Sequence, residues 1–340
     1  MGSLFDNTYR SQFSLTNDLV FYLIYGADTE ESNRALAALL NVILDRKDDP
    51  IVKVHVLNTV QKGFKPGDKS TIMDVKAEAD SGELIDVEMQ RYVLPLLKAI
   101  PAAETLLTGT AETPERTAKG ASRAYPERSL FYGARLVNSS LASGEDYDKM
   151  KKSIVISFVD RVLFPDIPGI HTRFLVKEED TGHPLTDRLA MHFVELGKVS
   201  ADRPVEELDP LERFAAYMKY CSDPQMEDYV NQLLDSGEEA VQMSEHVYKK
   251  VTESDLAREM LEREEKAAHD IATMKVHARR EGLAEGRAEG RTEGRAEGRM
   301  EGRAEGIVTG VQQMKQALGL SAKGKTPEEI ATELNLSIEI

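Results

Sequence analysis

Apolar and polar positions alternate strictly from Met73 to Gln90, interrupted only at Asp80-Ser81-Gly82. Met73, Val75, Ala77 and Ala79 share one parity before the break, and Ile85, Val87 and Met89 share one after it. Such alternation around a short Gly-containing turn predicts a β-hairpin. A three-residue loop with Gly last, in the left-handed position, is a common hairpin connection. In that register Ala79 pairs with Glu83, Lys76 faces Asp86, Asp74 faces Glu88 and Ile72 faces Gln90. One face of the hairpin is then apolar, and every charged residue within the two strands lies on the other.

Helical and extended patterns flank this hairpin. Asn17-Asp18 caps a helix that opens with Leu19, Val20 and Phe21 and stops at Gly26. Residues 31–44 are amphipathic, with Leu36, Leu39, Leu40 and Ile43 at helical spacing. Residues 51–57 alternate as a strand. Residues 127–143 predict a helix whose core face is Leu130, Phe131, Ala134, Leu136, Val137 and Leu141. The apolar run 153–159 fits a buried central strand, and residues 172–177 and 190–196 give two more strands. From Pro204 the chain reads helical: 204–220, 224–234, 237–251 and 254 onward, with Asp202 and Ser254 as N-caps. Thr326-Pro327-Glu328-Glu329 is a capping box.

These patterns divide the chain into a lead-in (1–16), an α/β core (17–200), a helical module (201–280), a Glu-Gly-Arg repeat (281–306) and a helical end (307–340). Residues 95–126 are rich in Ala, Thr, Gly, Ser and Pro and read as an insertion loop inside the core. In the repeat, Glu recurs every fourth residue from Glu281 to Glu305, each followed by Gly. Arg recurs at 287, 291, 295, 299 and 303. On a helix, residues four apart stack with about 40° of drift. Like charges therefore stack, and each Gly costs about 1 kcal/mol against Ala. Between strongly helical flanks the expectation is a helical self-association arm rather than a flexible linker.

Charge and composition narrow the function. With 43 Lys and Arg against 59 Asp and Glu the net charge is −16, which argues against broad non-specific nucleic-acid binding by phosphate neutralisation. No apolar run approaches the ~20 residues that span a bilayer, and the first residues lack the basic start and apolar centre of a signal peptide. A single cysteine, Cys221, excludes an intrachain disulfide framework and a Cys-based zinc site. A cytoplasmic setting is the simplest expectation. His171, His183 and His192 match no compact metal spacing.

The charged face of the hairpin carries the candidate chemistry. Directly opposed Cβ atoms lie about 4.5–5.5 Å apart, so Asp74 and Glu88 would project side by side. Two such carboxylates repel unless something positive lies between them, and a hard divalent cation such as Mg²⁺ suits that place. The other reading of the alternation is a solvated charged face with Lys76 and Asp86 as a surface pair. Alternation alone favours that second reading.

The combination D-(x)13-E-x-Q, Asp74 to Glu88 to Gln90, resembles the active-site arrangement of the PD-(D/E)XK nuclease superfamily. The closer resemblance is to the recombination-promoting nuclease / putative transposase family. It is carried by Asp74-Val75-Lys76-Ala77, Gly82 and Ile85-Asp86-Val87-Glu88-Met89-Gln90. It continues in Glu127, Arg128, Tyr132 and Arg135, and in the ending His171, Phe174, Gly182, Leu185-Thr186-Asp187, Glu195-Leu196 and Lys198. Asp18 and Phe21 match a "D-x-x-F-K" motif with Tyr22 in place of its lysine.

The resemblance implies a restriction-endonuclease-like core, a mixed central β-sheet flanked by helices. It implies a metal-dependent DNA endonuclease linked to recombination or mobile elements. Asp74 and Glu88 would hold Mg²⁺ (or Mn²⁺), and Gln90 takes the place of the lysine that orients the attacking water. Lys76 would supply the charge that Gln90 lacks. Arg128 and Tyr132 would touch substrate phosphate, and Asp18 would be an outer acid. DNA and a second copy of the chain are the expected partners. The alternatives are a catalytically inactive nuclease fold working as a scaffold through its helical C-terminus, and an RNA nuclease on the same site.

Overall fold

The computed structural model describes residues 10–57, 75–90 and 114–336. The chain forms two compact units, Met1–Ala268 and His269–Ile340. The first is built on a mixed sheet of β1 (Val54–Val56), β2 (Val75–Ala79), β3 (Leu84–Gln90), β4 (Ser153–Val159), β5 (His171–Leu175) and β6 (Leu189–Glu195). Their order across the sheet is β1-β2-β3-β4-β6-β5.

The hairpin forms in the expected register. Lys76 is opposite Asp86 and Val75 opposite Val87. The loop closes through Ala79 N–H to Glu83 O at 3.0 Å and Gly82 N–H to Ala79 O at 2.8 Å. Gly82 has φ +90°, a left-handed conformation that glycine adopts without a Cβ penalty. β3 then runs parallel to β4, and β4 parallel to β6, while β5 returns antiparallel to β6. Parallel central strands are covered on both faces, and all of β4 is buried.

One face of the sheet packs on α1 (Asp18–Tyr25) and α2 (Glu30–Leu44). Phe21 on α1 lies 5.9 Å from Phe158 on β4, centroid to centroid. Asn17 caps α1 and Thr29 caps α2 through their side chains. The helices α4 (Pro210–Tyr220), α5 (Glu227–Asp235) and α6 (Glu239–Glu253) share this same core. Asp209, not Asp202, caps α4, in a reciprocal box with Glu212. Asp209 wins because Pro210 directly after it fits the first helical position.

Residues 10–16 are not a loose lead-in. Phe13 and Leu15 are fully buried, and Arg10 makes a bidentate ion pair with Glu245 at 2.8 and 2.9 Å. Tyr217 donates to the same carboxylate at 2.6 Å, and Tyr248 to the carbonyls of Arg10 and Phe13 at 3.0 and 2.9 Å. Burial opposes the Arg10 charge, but the Glu245 hydrogen bonds and charge outweigh it and hold the guanidinium protonated.

The opposite face of the sheet lies under α3 (Pro114–Ser139). This helix begins within the stretch read as a loop, carries Pro126 in its interior and ends earlier than expected. Its packing face is also different. Tyr125, Ser129, Gly133 and Leu136 are buried, whereas Leu130 and Phe131 are 50% and 60% exposed. The reason is the polar sheet surface below, where Tyr125 meets Glu88 and Ser129 meets Ser157. A Cβ on Gly133 would come within 3.0 Å of Leu189 and 3.5 Å of Val155, so glycine lets α3 lie close.

The second unit contains most of α7 (Asp255–Ser321), which is helical through the whole repeat, and α8 (Pro327–Glu333). Thr326 and Glu329 form the capping box of α8, and Ser254 Oγ accepts from Ala257 N–H at the start of α7.

Candidate active site

Glu88 lies on β3, between β2 and β4, and is 2% exposed. A carboxylate buried this deeply must be compensated. Two side chains of α3 do so. Tyr125 Oη donates to Glu88 Oε2 at 3.1 Å, and the Arg128 guanidinium stands 3.8 Å from the same oxygen. Arg128 also donates to Gln90 Oε1. Its guanidinium lies 4.6 Å over the Tyr125 ring and 5.8 Å from the centre of Tyr132, within cation–π range. Burial, then the charge of Glu88, pushes the Tyr125 phenol well above its ordinary range, so it stays a donor.

The helix brings these groups together through its repeat. Tyr125, Arg128, Ser129 and Tyr132 recur at spacings of three and four residues, on one face. Ser129 Oγ meets Ser157 Oγ at 3.3 Å and fixes α3 against β4. Ser157 is the residue beside Glu88 across the parallel pair.

Lys76 Nζ sits 3.9 Å from Asp86 Oδ2, one row from Glu88 on the same face. The charged face is thus largely covered rather than solvated, with Asp86 2% exposed. Where α3 diverges from the strands, a cleft of about 820 Å³ opens. Lys76, Glu78 and Asp86 line it from the sheet, Tyr132 and Arg135 from α3, and Lys151 from the segment that leads into β4. Lys151 pairs with Glu78 at 2.6 Å.

Among the expected site residues, Glu88, Gln90 and Arg128 converge, and Tyr132 and Lys76 border the adjoining cleft. Asp18 opens α1, which packs on the opposite face of the sheet. Asp74 lies outside the described residues. Among the described residues, no three His, Cys, Asp or Glu side chains gather as a metal-binding group.

Two residues of this neighbourhood escaped sequence reading. Tyr125 stands beside Pro126 in a stretch that composition marked as a loop; its signal was the spacing shared with Arg128, Ser129 and Tyr132. Glu195 belonged to a matched motif but had no role. It is fully buried at the end of β6 and accepts the backbone N–H groups of Leu163 and Phe164, the latter at 2.8 Å. Lys198 pairs with it. This anchors the segment after β4 and sets Phe164 against Phe193, 5.3 Å between centroids, beside Tyr125.

The arrangement places a fixed carboxylate, an amide and a guanidinium at the C-terminal end of the interior strand β3, next to a cleft with three cationic side chains. That set suits the recognition and cleavage of a phosphodiester. A family model described as "PD-(D/E)XK nuclease family transposase" matches residues 15–95 and 119–278. The interval it skips falls within the expected insertion. No curated protein and no solved structure matches the chain.

Proposed function

Since the chain belongs to the PD-(D/E)XK nuclease family transposases, we propose that it is a divalent-metal-dependent DNA endonuclease acting in recombination or on mobile elements. The observation that carries this reading is the convergence of Arg128 and Tyr125 on Glu88 and Gln90, the residues that match the second half of the nuclease motif.

Asp74 and Glu88 are the proposed ligands of Mg²⁺ or Mn²⁺. Their donors are carboxylate oxygens, which fit a hard divalent cation. Such a cation supplies a nucleophile at neutral pH and offsets charge developing on the scissile phosphate. Tyr125 orients Glu88 from behind. Arg128 has only N–H donors, so its bond to Gln90 fixes the amide oxygen toward the guanidinium and turns the amide N–H groups the other way. Gln90 can then orient the attacking water. The positive charge that glutamine lacks comes from Arg128 rather than Lys76, which is engaged with Asp86. Arg135, in the cleft beside the paired Lys76 and Lys151, meets a phosphate of the bound strand. Because the whole chain is acidic, binding is weak and falls steeply with salt.

The test is nicking of supercoiled plasmid at low salt with Mg²⁺ or Mn²⁺, comparing wild type with Asp74→Ala and Glu88→Ala. Metal-dependent nicking lost in both variants supports the reading. Absence of nicking by wild type, with no metal bound by calorimetry, removes it and leaves a scaffold. Competition with RNA decides between the two nucleic acids. We assign self-association to the helices of the second unit, which leave large apolar side chains in water.

A further inference from the structure

Met300, Ala304, Ile307, Val311, Met314 and Leu318 recur along α7 at alternating intervals of four and three residues. That is the a/d repeat of a coiled-coil seam. All six are exposed, Met300 by 68%, Ile307 by 60% and Leu318 by 65%. The seam is bounded. The preceding heptad positions, Glu297, Glu293, Gly290 and Gly286, are charged or lack a side chain.

We propose that a second copy of this chain covers this seam in antiparallel orientation. Met300 then packs on the partner's Leu318, Ala304 on the partner's Met314 and Ile307 on the partner's Val311. This rests on the self-association assigned above and adds its surface and its direction.

Packing and charge choose the direction. With Ala304, Val311 and Leu318 at a, the d positions are Met300, Ile307 and Met314. Antiparallel pairing sets each a against a d, so the small Ala304 meets a methionine. Parallel pairing would set Ala304 against the partner's Ala304 and leave a void, which packed interiors avoid. The flanking e positions are Glu301, Val308 and Lys315, and the g positions are Arg303, Gly310 and Ala317. Antiparallel helices bring e beside e and g beside g. Glu301 then meets the partner's Lys315 at both ends, Val308 extends the apolar contact at the centre, and Gly310 lets the helices close there. In a parallel pair, g meets the e of the next heptad. Arg303 would face the partner's Val308, and Gly310 the partner's Lys315, so no ion pair forms.

The experiment uses the full chain with Ala304→Cys, Met314→Cys or both, under mild oxidation. Cys221 is fully buried and stays out of the reaction. On one helix, positions 304 and 314 are about 15 Å apart and cannot bridge within a chain. The expected result is a covalent dimer from the double variant and none from either single variant. Cross-linking by the single variants means parallel pairing and overturns the direction. No cross-link in any variant overturns the surface. As a second measurement, Lys315→Glu should weaken the dimer about tenfold by sedimentation, and Glu301→Lys added to it should restore the dimer. Lack of restoration overturns the antiparallel register. Plasmid nicking by the same variants reports separately on the nuclease reading.

Discussion

Arg128 reaches from α3 across to β3, donates to the side-chain oxygen of Gln90 and stands 3.8 Å from Glu88. The pair joins an N–H donor from one element to a charge from another, whereas the superfamily's (D/E)-x-K motif has both in one lysine ammonium. Arg128→Ala should therefore lower nicking at least about tenfold, mostly in kcat. Gln90→Lys in that background should recover most of the loss. A purely structural role for Arg128 would leave the double variant as poor as the single.

Tyr125→Phe removes one hydrogen bond to Glu88 and keeps the ring against Phe193. Outer partners of metal ligands typically contribute about tenfold or more to affinity. Mn²⁺ binding measured by calorimetry should weaken by about that factor, and the metal-free unfolding free energy should fall by about 1–3 kcal/mol because the buried Glu88 loses a donor.

The Arg10–Glu245 pair is buried on both sides, with Tyr217 and the Cys221 carbonyl completing its hydrogen bonds. Removing one member leaves the other charged and uncompensated, at a cost of about 3–5 kcal/mol. Glu245→Leu should lower the urea midpoint accordingly, and Arg10→Met with Glu245→Leu should recover part of it.

His171 Nε2 and His192 Nδ1 share a hydrogen bond of 2.9 Å on the face that packs toward α4. Burial, then the neighbouring His171, Arg173 and Lys152, holds His192 down at about 3. Burial and Arg173 lower His171 as well, against a weaker opposing pull from Asp209. In this case the folded state binds fewer protons than the unfolded one. The neutral pair therefore stabilises fully above the ordinary histidine pKa of about 6.5. That contribution is lost progressively as pH falls from there toward 3. Unfolding free energy should drop between pH 7 and 5, and His192→Gln should flatten that slope when the two are compared by urea titration.

Local pattern determined much of this protein. The hairpin register from Lys76–Asp86 to the Gly82 turn, the caps at Asn17, Thr326 and Ser254, and the buried run of β4 all follow from neighbours in sequence, since alternation and capping act over a few residues. The site was legible as far as Glu88 and Gln90, which share one strand. Arg128 was visible as a residue of interest, but its partner was not, because the bond joins elements 38 positions apart. The helix through Pro126 was hidden because composition there resembles a loop, and burial against the sheet overrides that preference. The polar face of the hairpin carried the same uncertainty: alternation shows which residues share a face, while only the packing of α3 decides that the face is covered. Likewise Arg10 read as part of a loose end until its carboxylate, 235 residues away, stood beside it. Periodicity specifies faces; tertiary structure decides what each face meets, because burial of a charge depends on a partner that the chain can supply from any distance.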